Sequence, residues 1–88
     1  MTMTTLVEDY YGFIQQYVGG GDPYITLASF DAKTIEKVRK WIRSEYKKHK
    51  EATGWFISYH TVTNCYLDGE DVVTESWDTV ESDGNSDG

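Results

Sequence analysis

The dipeptide Asp68-Gly69, set between two runs of alternating side chains, commits the second half of the chain to a β-hairpin. A two-residue type I′ turn needs positive φ at both central positions, which Asp tolerates and Gly adopts freely. On the approach, Trp55, Ile57, Tyr59, Thr61, Thr63 and Cys65 fall on one side, and Phe56, Ser58, His60, Val62, Asn64 and Tyr66 on the other. A returning strand follows from Glu70 to Trp77.

Upstream, Ile35, Val38, Ile42, Tyr46 and His49 recur at steps of three and four with Trp41 beside them, which predicts an amphipathic helix capped by Asp31 and stopped at Thr53-Gly54. Tyr24 to Phe30 reads as a strand after the break Gly19-Gly20-Gly21-Asp22-Pro23. The N-terminal segment carries two signals. Thr5-Leu6-Val7-Glu8 has the form of a capping box, and Leu6, Tyr10, Phe13, Ile14, Tyr17 and Val18 keep helical spacing, so a first helix is expected over residues 5–18. Gly12 opposes it, because Tyr10-Tyr11-Gly12-Phe13-Ile14 also suits an aromatic strand. The expected architecture is a small α+β domain over residues 1–80. Its order is helix, strand, helix, strand, strand, and its three-stranded, mainly antiparallel sheet has helices on one face. An acidic tail is expected over 81–88.

At 88 residues the chain has room for one modest core and no second domain. Seven Tyr, three Trp and three Phe argue that it folds. A single cysteine, Cys65, makes no internal disulfide, and the first residues lack the basic and apolar regions of a signal peptide. With no apolar run long enough to span a bilayer, a reducing, cytoplasmic setting without membrane contact is expected.

No arrangement of residues specifies a reaction. Cys65 and His60 lie five apart on one predicted strand and so face opposite ways, which removes a local thiolate and base. Two histidines and one cysteine at scattered spacings give no zinc pattern. Asp83-Gly84-Asn85-Ser86-Asp87-Gly88 matches only the opening of a calcium loop, without its bidentate Glu. The glycine run is followed by Asp22 and not by Lys-Ser/Thr, so it is no phosphate loop. No catalytic residue, metal site or cofactor is assigned, and a non-enzyme is expected.

Charge layout is more telling. The net charge is −7, yet all eight cations lie between Lys33 and Lys50, where only Glu36 and Glu45 oppose them. From Asp68 to Asp87 run eight carboxylates and no cation. Along an extended strand most of these fall roughly 7–13 Å apart, in the range of backbone phosphates. Such a surface suits a larger protein with a basic, nucleic-acid-binding groove. Asp68, Glu70, Asp71, Glu75, Asp78 and Glu81 would carry the contact, with Tyr66 and Trp77 as aromatic anchors. In size, acidity and lack of catalytic motif the chain is similar in kind to phage-encoded inhibitors of CRISPR and restriction enzymes, which share no diagnostic motif. That likeness implies a nucleic-acid mimic that evades a host defence. Two alternatives stand beside it. One is direct nucleic-acid binding by Lys37, Lys40, Arg43, Lys47 and Lys48 of the basic helix, and the other is salt-sensitive self-association between that helix and the acidic hairpin. Against both stands the bland reading, in which basic helix and acidic hairpin are simply solvated surfaces.

Overall fold

The computed structural model describes residues 2–21 and 23–83. Strand β1 (Thr2–Tyr17) turns into β2 (Tyr24–Ala32). Helix α1 (Ile35–Glu45) and a 3-10 turn (Tyr46–Lys48) then lead into β3 (Gly54–Leu67) and β4 (Glu70–Ser82). The sheet order is β2-β1-β3-β4, with every neighbouring pair antiparallel. Since β2 and β3 both oppose β1, they run parallel to each other, and α1 makes the crossover over β1 that a parallel pair requires.

The hairpin forms where its sequence places it. Asp68 and Gly69 have φ of 52° and 81°, and Leu67 pairs with Glu70 across the turn. The returning strand continues beyond Trp77 to Ser82, through a register shift between Ile57 and Ser58. Ser82 and Glu81 therefore belong to the sheet, while residues 84–88, with most of the calcium-loop match, lie outside the described residues.

The expected N-terminal helix does not form: residues 5–17 are part of β1, so the order is strand, strand, helix, strand, strand, with four strands and one α-helix among the described residues. Nine of the sixteen β1 residues are Thr, Val, Ile, Tyr or Phe, which fit a pleated surface and lose side-chain freedom in a helix. Gly12 settles the matter physically. A Cβ there would stand 2.6 Å from Val38 Cγ1 and 3.2 Å from Ile42 Cδ1, so the glycine is the seat on which α1 rests against the central strand. The helix boundaries also differ from expectation. Thr34, not Asp31, is the N-cap residue, because Asp31 remains in β2 opposite Tyr11, and the α-helix gives way to the 3-10 turn at Tyr46, before His49.

Val38 and Ile42 of α1 meet Ile57 of β3 in the core, with Tyr10, Ala32, Trp41 and Trp55 packed around them. Ile14 of β1 is the remaining fully enclosed apolar side chain among the described residues. One helix covers one face, and the molecule, 52 × 31 × 18 Å, is a two-layer slab. Among the described residues, no layer packs on the other face of the sheet.

Candidate functional site

Strand alternation decides what the open face carries. With Gly12, Ile14 and Ile57 turned toward α1, the intervening residues Asp9, Tyr11 and Phe13 of β1 and Phe56, Ser58 and His60 of β3 point away from it. Register brings Asp9 opposite His60 and His60 opposite Trp77, so three strands contribute to one cluster. His60 Nδ1 lies 2.9 Å from Asp9 Oδ1, and Nε2 lies 2.7 Å from Glu75 Oε2. The ring stacks on Trp77 at 4.0 Å between centroids, and Tyr11 meets it edge-on at 5.5 Å. Beneath this cover Asp9, Ser58 and His60 are buried despite lying on the face opposite the core.

A neutral imidazole has one N–H, so it can donate to only one of two flanking carboxylates and would turn a lone pair toward the other. The imidazolium donates to both. Its pKa is accordingly raised, first by the bond to Glu75 and then by that to Asp9, against the opposing cost of burial. Tyr11 also titrates above its ordinary value, through burial and then through the carboxylates Asp9, Asp31 and Glu75 around it. The open face is thus aromatic and electronegative, and His60 is a planar ring held within it by a carboxylate at each nitrogen.

The cluster shares a His-carboxylate pair with hydrolytic triads, but Glu75 occupies the ring nitrogen that would serve a nucleophile as base. Cys65 lies on the opposite side of β3, as its spacing from His60 implies. The two carboxylates approach opposite ring nitrogens and do not converge on a point, and no metal-holding group of side chains occurs among the described residues.

The residues singled out from sequence divide between three settings. From Glu70 to Val80 the edge strand β4 is exposed throughout. Asp71 and Glu75 share the open face with Tyr66 and Trp77, whereas Glu70, Asp78 and Glu81 turn to the helix side, and Asp68 sits in the turn. Two of these acids are engaged internally. Glu75 holds His60, and Glu81 accepts a forked pair of bonds from Arg39, Nε at 2.9 Å and a terminal nitrogen at 2.7 Å. Arg39 also pairs with Glu36. Glu70, Asp71 and Asp78 have no ion-pair partner among the described residues, although Asp71 accepts a bond from Asn64 at 3.2 Å. Lys37, Lys40, Arg43, Lys47 and Lys48 are all exposed on α1 and the 3-10 turn, in the other layer.

Sequence reasoning missed Asp9, Tyr11, Phe13, Phe56 and His60 as a group. Their parity within β1 and β3 was the available signal, and reading residues 5–18 as helix hid it. No helix among the described residues is long and apolar enough to cross a membrane. Compared with protein families, with curated proteins and with solved structures, the chain finds no match in any of the three.

Proposed function

We propose that the chain is a non-catalytic binding protein of the cytoplasm that occupies the basic, nucleic-acid-binding groove of a larger protein, and so inhibits it by nucleic-acid mimicry. The observation that carries this reading is that the four strands contain no Lys or Arg, while the edge strand β4 is exposed from Glu70 to Val80, with Glu70, Asp71 and Asp78 free of ion pairs among the described residues. Carboxylates project to both sides of that edge, so a groove lined with Lys and Arg meets negative charge from either side of it, as it would from phosphates. The same acids protect the edge from pairing with another strand. With the Lys and Arg side chains in the helix layer, only Glu81 of the β4 acids pairs with one of them among the described residues, and the separation of charge orients the molecule as it approaches a cationic partner.

The test is capture on the immobilised chain from a nuclease-treated bacterial lysate, followed by elution with duplex DNA or RNA. The expected result is a nucleic-acid-binding protein that is retained by the natural chain, is displaced by nucleic acid, and is lost when Glu70→Lys, Asp71→Lys and Asp78→Lys are combined. Glu75 and Glu81 are left intact because they hold His60 and Arg39. Equal retention by the triple variant, or retention that nucleic acid does not reverse, would overturn the reading.

A further inference from the structure

The open face has a chemistry distinct from that of the acidic edge. Trp77 and Tyr11 lie 5.0 Å apart between centroids, Tyr11 and Phe13 6.2 Å, and Phe13 and Phe56 4.9 Å, so four rings form a continuous band across β4, β1 and β3. Trp77 is 47% exposed and the other three are half-buried. At the Phe56 end, a recess of about 280 Å³ opens, with Gln15, Tyr24 and Thr79 among its lining residues. Large apolar surfaces left without a covering layer are characteristic of contact sites.

We propose that this band is the docking surface for arginine side chains of the partner protein, with the rings as floor and the surrounding carboxylates as counter-charges. The inference rests on the mimicry reading for the partner's positive charge and adds which cation is read and where. His60 supplies the internal precedent: a flat nitrogen-bearing ring stacked on Trp77, with a carboxylate within hydrogen-bond distance of each ring nitrogen. A guanidinium suits the same arrangement, being flat, stacking on rings and forking to a carboxylate, whereas an ammonium is a compact, strongly hydrated point charge. Two other occupants fit less well. A single-stranded nucleic acid would also stack on such rings, but its phosphates would meet Asp31 and Glu75 with no Lys or Arg on any strand to receive them. A second copy offers only Arg39, engaged with Glu81, and Arg43 among its cations, the rest being lysines.

The experiment measures binding of dye-labelled nona-arginine and nona-lysine peptides by fluorescence anisotropy at physiological salt. We expect nona-arginine to bind about five-fold or more tightly than nona-lysine. Trp77→Thr, a β-favouring change at an exposed edge position, should bring the two peptides to equal affinity, and Trp77→Phe should keep the preference. The Glu70→Lys, Asp71→Lys, Asp78→Lys variant should weaken both peptides alike and leave their ratio unchanged. Equal affinity of the natural chain for both peptides would overturn the arginine inference while leaving the mimicry reading to its own capture test. An arginine preference in a chain whose captured partner ignores the triple reversal would do the opposite. Competition by an oligo-dT strand for the peptide site, or a concentration-dependent oligomer that Trp77→Thr dissolves, would assign the face to nucleic acid or to a second copy and overturn the inference.

Discussion

His60 is the residue whose environment makes the sharpest demand on pH. Its ordinary pKa is about 6.5, and the bonds to Glu75 and Asp9 raise the folded value above that. A group with a raised folded pKa contributes stability that is complete below the unfolded value and is lost as pH rises through the folded one. Melting temperature should therefore fall as pH is raised from about 6 through the folded His60 pKa, and His60→Gln should remove that part of the slope. A natural chain with a flat profile across this window would show that folding leaves the His60 pKa unshifted. Gly12 makes a steric demand. Val38 Cγ1 is a short, buried branch only 2.6 Å from where an alanine methyl would sit, so Gly12→Ala should cost about 1–3 kcal/mol through overpacking, measured by chemical denaturation. Tyr59, on the helix side, has its phenol pushed up to about 12, first by its bond to Glu8, so it stays neutral through this pH range and does not confuse the His60 titration.

At the scale of elements, the helix is held by few contacts, which makes each one expensive to lose. Val38, Ile42 and Ile57 are the buried cluster, and Ile42→Ala should cost about 2–5 kcal/mol in the same denaturation measurement, with the transition remaining cooperative. Gly69→Ala forces a side chain into φ of 81° and should destabilise the hairpin by about 1–2 kcal/mol. The β3–β4 hairpin was legible in the sequence because a type I′ turn is local chemistry, written in two adjacent residues. The stripe of α1 was legible for the same reason, although its ends were not. Asp31 is a good capping residue in isolation, but pairing with Tyr11 keeps it in β2. β1 was misread because Leu6, Tyr10, Phe13, Ile14 and Tyr17 satisfy the helical period while the true selection is tertiary: β1 is a central strand with partners on both sides, and its Gly12 is a helix seat. Asp9, His60 and Glu75 are separated by 51 and 15 residues, and only the register of β1, β3 and β4 joins them.

Across the whole molecule, charge segregation visible in the sequence becomes a division between layers, with Lys and Arg confined to the helix and its flanks and carboxylates lining the sheet. Binding to a cationic partner should therefore weaken as salt rises from about 0.05 to 0.5 M, since the Debye length shrinks severalfold over that range. The apparent affinity of the nona-arginine peptide over a salt series checks this, and a salt-independent affinity would point to apolar contact alone. On the function proposed above, the sheet, whose strands carry no Lys or Arg, and not the basic helix, is the working surface. The most direct test of that function is amide chemical-shift mapping of the isotope-labelled full chain at physiological salt, with nona-arginine and a DNA duplex added separately. Nona-arginine should shift residues of β4 and the open face around Trp77 and Tyr11, and the duplex should shift none. Saturable duplex-induced shifts along α1, centred on Lys37, Lys40, Arg43, Lys47 and Lys48, with an unresponsive β4, would contradict that function and make the chain a nucleic-acid binder.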